Sequence, residues 1–235
     1  LTVVSRPPSG GLAKALNSML AETDSALVAR MDADDISLPW RFRASLPALE
    51  GGTDVVFTQV MRMSGRRIRP ELPLGIRPEA FPLHLLLTNP VTHPSMIARR
   101  EAVDAAGEFR DVPAEDYDLW LRMAATGVRL RRLPWNCLIC RAHPQQVTAT
   151  SGWRQRSWSN PLQAQAFADL SEQLTGARLR RIVAIAQLPQ PEKETELQNF
   201  EQRISPAIAA LPPAHQVLLR RRLKERLSWA RTHEP

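Results

Sequence analysis

Ala26-Leu-Val-Ala-Arg-Met-Asp32-Ala-Asp34-Asp35-Ile-Ser-Leu-Pro39 is the stretch of this 235-residue chain whose reading decides the fold. A mostly apolar run of six residues ends in three carboxylates within four positions. A short apolar run closed by polar residues reads as a buried strand. Pro39 then reads as the start of a helix, with Ser37 placed to cap it. The acids therefore fall at the C-terminal end of a strand, where ligands bind in open α/β sheets. Three like charges so close are unfavourable unless a positive group shares the site. Mg²⁺ or Mn²⁺ suits carboxylate oxygens. A solvated acidic turn is the plainer alternative.

Working outward, Leu1–Val4 reads as a strand, Ser5–Gly11 as a turn-rich loop, and Leu12–Ala21 as a helix with apolar residues three and four apart. Residues 38–49 read as a helix closed by Gly51 and Gly52, and residues 54–60 as a strand. The arginine- and proline-rich stretch 62–78 reads as an irregular loop. A short helix at 79–87, a turn at 88–94 and a strand at 95–98 follow. Ala114–Thr126 is amphipathic, with Glu115 and Asp116 in its first turn, and two strands are expected at 128–133 and 136–141. Alternating strands and helices indicate an α/β domain with a largely parallel sheet. Beyond residue 150 the pattern is helical, so residues 1–150 read as one domain and 151–235 as a helical C-terminal extension.

The chain is 43% apolar, enough for a core, and carries a net charge of +7, mostly from arginine. That charge favours anionic partners, but no nucleic-acid recognition motif is present. No apolar run is long enough to span a membrane, and no signal peptide opens the sequence. Cys137 and Cys140 are too few for a disulfide framework and lack partners for a zinc site. These features favour a cytoplasmic location. Val217, Leu218, Leu223 and Leu227 are spaced for one apolar face of a basic C-terminal helix. That face suits the protein's own core, or peripheral association with an anionic membrane or a partner.

Three ordered segments resemble glycosyltransferase family 2, the inverting, nucleotide-sugar-dependent enzymes of the GT-A fold. They are Gly10-Gly-Leu-Ala-Lys-Ala-Leu-Asn17 with Ala29-Arg-Met-Asp-Ala-Asp-Asp35; Asn89-Pro-Val-Thr-His-Pro-Ser95 with Gly107-Glu-Phe109 and Ala114-Glu-Asp-Tyr-Asp-Leu-Trp-Leu-Arg122; and Cys140-Arg-Ala-His143. The resemblance implies a GT-A-like mixed, mostly parallel sheet flanked by helices. It implies transfer of a sugar from a nucleotide-sugar donor to a glycan or lipid-linked acceptor, in surface polysaccharide or glycoconjugate synthesis. Asp34 and Asp32, with His143, would hold Mn²⁺ or Mg²⁺ at the donor diphosphate. Gly11, Asn17, Arg30 and Asp32 would line the nucleotide-sugar site, and Asp35 would support it. Asp116 would be the general base, with Glu115 as the alternative, although acids also favour a helix N-terminus electrostatically. His93 would face the acceptor or shape its turn, and Trp120 would stack on a sugar or pack in the core. Lys14 and Arg41 would touch phosphate or lie in solvent. The family's first two strand–turn units have no counterpart here, so the resemblance implies a chain lacking its first strands, roughly 60 residues at some 30 per unit. Such a piece would be inactive by itself.

Two other readings compete. Asp32-Ala-Asp34-Asp35-Ile36 approaches the DxDx(T/V) of dehalogenase-type phosphatases, yet no lysine follows before Lys193. A basic membrane- or partner-binding module is the non-enzymatic reading.

Overall fold

The computed structural model describes residues 10–142 and 152–233. The strand expected at Leu1–Val4 and the candidate ligand His143 lie outside the described residues. The first element among the described residues is α1 (Leu12–Ala21), which buries Ala13, Leu16 and Leu20 at helical spacing. Next come β1 (Leu27–Ala29), β2 (Ile36–Ser37), α2 (Arg41–Glu50), β3 (Val55–Ser64), β4 (Arg67–Pro70) and α3 (Phe81–Leu87). A 3₁₀ turn at His93–Ser95 leads into β5 (Ile97–Arg99), α4 (Arg100–Ala105), α5 (Glu115–Ala125) and β6 (Leu130–Arg141). Among the described residues five helices follow: α6 (Trp153–Trp158), α7 (Pro161–Thr175), α8 (Ile182–Ile185), α9 (Glu192–Ala209) and α10 (Pro213–Thr232).

The strands form one mixed sheet in the order β1-β5-β3-β6-β2, with β4 paired to the far end of β3. β3 is its buried centre, with Val55, Val56, Phe57 and Val60 fully covered. The parallel share is smaller than the sequence pattern suggests. Among the described strands only β3 and β6 run parallel; β1–β5, β3–β5, β3–β4 and β2–β6 are antiparallel. β1 and β2 are separated by only residues 30–35, yet stand at opposite ends of the strand order. The sheet therefore curls, and the acidic turn bridges its two ends. Pro134 helps the curl. It has no N–H to give, and the β3–β6 register jumps from Thr58↔Leu133 to Gln59↔Asn136 around it. This bulge is why one long strand reads as two short ones in sequence.

Three local expectations are corrected. β1 is not buried: Leu27 and Ala29 are exposed, because among the described residues β1 has only β5 beside it. Ser37 pairs with Leu138 in β2 instead of capping a helix, and α2 starts at Arg41 behind Trp40. The arginine-rich stretch 62–78 holds a hairpin, with β4 antiparallel to the end of β3 around Gly65 at φ 58°. Its exposed arginines hide the strand pattern, since both faces of β4 are in solvent.

The C-terminal helices share the core of the sheet domain. One apolar cluster runs from Ala13 through Phe81, Trp120 and Phe167 to Leu227 and Ala230. α7 begins with Asn160 accepting a hydrogen bond from the Gln163 N–H at 3.1 Å, with Pro161 as its first residue. α10 buries Leu219, Leu223, Leu227 and Ala230, while Val217 is 68% exposed. The apolar face of α10 is thus turned inward, which removes it as a membrane-facing surface. Among the described residues no helix is long and apolar enough to cross a membrane.

Candidate active site

The acidic turn is held from both sides. Arg30 and Asp32 form an ion pair. Asp35 accepts the backbone N–H of Arg141 at 3.1 Å, and the Arg141 side chain donates to the Asp34 carbonyl at 3.2 Å. The end of β6 is thereby tied to the turn. Burial is the main influence on Asp35 and pushes its carboxyl up, and the charges of Asp32 and Asp34 push the same way. The Asp34 side chain is on the solvent side. Among the described residues no three His, Cys, Asp or Glu side chains converge as a metal cluster.

Beneath the turn lies Arg41, 1% exposed. Its guanidinium donates to the carbonyls of Arg30 at 2.7 Å, Pro94 at 2.9 Å and Met96 at 3.2 Å. It joins the acidic turn to the Asn89–Ser95 loop and is not a phosphate ligand. A charged side chain is buried here because its hydrogen bonds satisfy three carbonyls on two converging backbone segments. Asn17 is likewise structural. Its amide both donates to the Phe109 carbonyl at 2.8 Å and accepts the Phe109 N–H at 3.0 Å. Both polar ends are spent on backbone, so Asn17→Ala is expected to lower stability by about 1–2 kcal/mol. Urea unfolding measures this; an unchanged midpoint would return Asn17 to the list of ligand contacts. Gly11, at φ 135°, precedes α1 in a conformation that side chains avoid, and a Cβ there would meet Asp111 at 3.3 Å.

The second acidic group opens α5. Ala114 takes a left-handed conformation, φ 57°, immediately before Glu115, a cost of about 1 kcal/mol or more for a residue with a Cβ. Gln163, fully buried on α7, compensates by donating to the carbonyls of Pro113 and of Ala114, the latter at 2.9 Å. Arg181 in turn donates to the Gln163 side-chain oxygen at 3.1 Å and to the Ser157 carbonyl at 2.7 Å. The helical extension thus sets the entry angle of α5.

Successive residues on a helix diverge by about 100°, and the two acids part accordingly. Glu115 lies 3.6 Å from His93 Nδ1. Burial alone would raise its carboxyl, but the His93 ring and the Arg30 charge outweigh burial and hold it below its ordinary value. Arg30 thus stands between the acidic turn and α5. Asp116 turns the other way, into the wall of a cavity of about 500 Å³. It accepts a hydrogen bond from the Asn89 amide at 2.9 Å. Burial, reinforced by the Glu115 charge and opposed by His93, pushes the Asp116 carboxyl up.

Residues 1–106 match the family model described as glycosyl transferase family 2. AmsE of Erwinia amylovora, an amylovoran biosynthesis glycosyltransferase, is 32% identical over 160 residues, 65% of this chain and 59% of AmsE. Over its first 106 residues the chain is thus similar to glycosyltransferase family 2. A second relative, the Escherichia coli O-antigen biosynthesis glycosyltransferase WbnJ, is 30% identical over 122 residues, 48% of this chain and 46% of WbnJ. The chain therefore spans about half to three-fifths of these curated relatives. The fold is similar to that of S. aureus TarS residues 1–349, solved in complex with UDP-GlcNAc. The TM-score is 0.52 at 14% identity, over 95% of this chain and 71% of that one. The mixed sheet with flanking helices is the GT-A architecture that the sequence implied.

Several candidates separate by position. Arg30, Asp32 and Asp34 cluster on the turn, and Glu115 and Asp116 on α5. Trp120 does not face an acceptor: it is fully buried, edge-on to Phe57 at 4.8 Å. His93, 7% exposed, packs between Phe109 and Trp120 and shapes its turn. Lys14 is exposed, 3.9 Å from Asp111. Cys137 and Cys140 are buried free thiols. Two features escaped the sequence reading. Asp118 is completely buried and pairs with Arg122 at 2.9 Å, while Arg122 donates to the carbonyls of Ala106 and Glu108. Their i, i+4 spacing was a legible signal. The Gln163–Arg181 clamp had none.

Proposed function

We propose that this chain forms the catalytic part of an inverting glycosyltransferase that moves a sugar from a nucleotide diphosphate to a hydroxyl of a glycan or lipid-linked acceptor. The observation that carries the reading is the divergence of Glu115 and Asp116 at the start of α5. One acid is held ionised against His93 on the side of the acidic turn, and its neighbour opens into a separate cavity beside Asn89. Asp116 accepts the proton of the acceptor hydroxyl as its oxygen bonds to the anomeric carbon. The bond from that carbon to the diphosphate oxygen breaks, and the nucleoside diphosphate leaves. Glu115 and Arg30 keep the two acidic clusters in register.

Asp34, with Asp32, would hold a divalent cation. A site of one or two carboxylates completed by substrate phosphate suits Mg²⁺ or Mn²⁺, so the exposed Asp34 fits without a third protein ligand among the described residues. Such an ion supplies neutralisation of charge on the departing diphosphate. His143 as a further ligand lies outside the described residues. The names of AmsE and WbnJ, for amylovoran and O-antigen biosynthesis, support a role in surface polysaccharide assembly. The UDP-GlcNAc bound to TarS supports a nucleotide-sugar donor.

Asp34→Asn tests the donor side. In the protein carrying this chain, UDP- and GDP-sugar binding with Mn²⁺, followed by calorimetry, is expected to weaken at least tenfold, the ~1.4 kcal/mol lost with one charged ligand. Binding of equal strength in wild type and variant, or binding indifferent to chelator, would remove the metal from the proposal.

A further inference from the structure

The cavity beside Asp116 is walled on its other side by α6, α8 and α10, the part of the chain with no role so far beyond support. Its volume, about 500 Å³, is in the range of small-molecule sites, roughly 300–1,000 Å³. Three arginines line it, Arg154, Arg181 and Arg226, against one acid among the described residues, Asp116. Arg181 is occupied by Ser157, Gln163 and the face of Tyr117 at 5.2 Å. Arg154 and Arg226 make no ion pair among the described residues. Arg226 lies over the Trp229 ring at 4.3 Å, and its Nε is buried without a hydrogen-bond partner.

A second basic cavity of about 500 Å³ lies on the other side of Asn89. There Arg62 pairs with Glu71 at 3.0 Å, Arg221 and Arg222 share Glu225 at 2.9 and 3.5 Å, and Arg132 donates to the carbonyls of Leu74 and Pro90. Both cavities hold more arginines than acids, but the arginines on the Asp116 side include two, Arg154 and Arg226, with neither an ion pair nor a carbonyl partner among the described residues, and they stand beside the candidate base. That cavity also carries Trp153, Trp158 and Trp229. Trp158 and Trp229 pack edge to face at 6.0 Å, and His233 lies against Trp229 at 4.7 Å. Trp153 is half-buried and makes no ring contact among the described residues.

We propose that this cavity is the acceptor subsite and that it takes a sugar bearing a negative charge, a uronate or a sugar phosphate. The ring lies against Trp153, the anion meets Arg154 and Arg226, and a hydroxyl reaches Asp116. Calling the occupant the acceptor rests on Asp116 as base; the binding of an anionic sugar does not. Arginine's planar fork suits carboxylate and phosphate alike, so the probes must separate them.

The test is calorimetry and tryptophan fluorescence on the full chain with methyl glucuronide, glucose 6-phosphate and methyl glucoside. One or both anions are expected to bind at least about tenfold tighter than the neutral glucoside, and the tighter anion names the group. Arg226→Gln and Arg154→Gln should each weaken the anion about five- to tenfold, on the scale of a lost charged hydrogen bond. Trp153→Ala should diminish the fluorescence change. Arg154 is exposed, so its variant keeps the test meaningful if Arg226→Gln does not fold. Asp116→Asn should bind the anion as well as wild type or better, because it removes the one negative charge. Equal affinity for all three sugars, or anion affinity indifferent to both arginine variants, overturns the subsite and leaves the base assignment standing. Anion binding as predicted alongside full transfer by Asp116→Asn does the reverse.

Discussion

Asp116→Asn is expected to reduce the rate of sugar transfer by a factor on the order of 10²–10⁴, the contribution typical of a positioned general base. The substitution keeps the side-chain shape and an oxygen to accept from Asn89, so the loss isolates proton transfer. Donor binding should be unchanged, because the acidic turn is a separate element of the site. The raised Asp116 carboxyl adds two checks. A base must be ionised to act, so the acid limb of kcat/KM is expected to lie above the ordinary aspartate range and to vanish in the variant. Burial also penalises the charged form. The stability that Asp116 contributes is therefore fully present below its unfolded value of about 3.9 and is lost as pH rises through the raised folded value. At neutral pH Asp116→Asn should consequently be no less stable than wild type. A variant that transfers sugar at the wild-type rate would transfer the role to Glu115. That carboxyl is held below its ordinary value, which makes it the weaker base.

Arg41→Met should cost about 3 kcal/mol of folding stability. The carbonyls of Arg30 and Pro94 each receive a hydrogen bond from this guanidinium, and a buried carbonyl left without a donor costs roughly 1–3 kcal/mol. Met96 keeps a second donor, the Arg30 N–H at 3.1 Å, so it loses less. Removing a desolvated charge offsets part of the cost, which is why the expected figure lies in the lower half of the roughly 2–6 kcal/mol that two such carbonyls would cost. Guanidinium unfolding reads the effect as a fall in midpoint at constant slope. Arg41→Lys should recover part of it, since an ammonium retains donors but lacks the reach and planarity of arginine. An Arg41→Met protein that unfolds with wild-type midpoint would mean that packing alone holds the acidic turn to the Asn89–Ser95 loop.

Local pattern carried much of the fold into the sequence. The Leu12–Ala21 helix was legible to the residue, because its buried positions recur at helical spacing. The start of α5 was legible from acids followed by an apolar face, and its buried residues Leu119, Trp120 and Met123 lie on that face. The ordered acidic motifs carried the resemblance to glycosyltransferase family 2. Arg41 and Asn17 were not legible as structural residues. A polar side chain declares nothing in sequence about whether it will meet solvent, a ligand or three converging carbonyls. β1 misled for the complementary reason: an apolar run says that a strand forms, but the number of neighbours decides its burial.

By itself the sequence determined most of the element types, the resemblance to glycosyltransferase family 2 and the two acidic clusters, since periodicity and short motifs act over a few residues. Only the tertiary structure decided how the clusters meet. The acidic turn is tied to the end of β6 by contacts such as Asp35 with Arg141, 106 residues apart. The cavity beside Asp116 is completed by helices that begin beyond residue 152. Which distant groups share a wall depends on packing of the whole core, and packing is a property of all its side chains together.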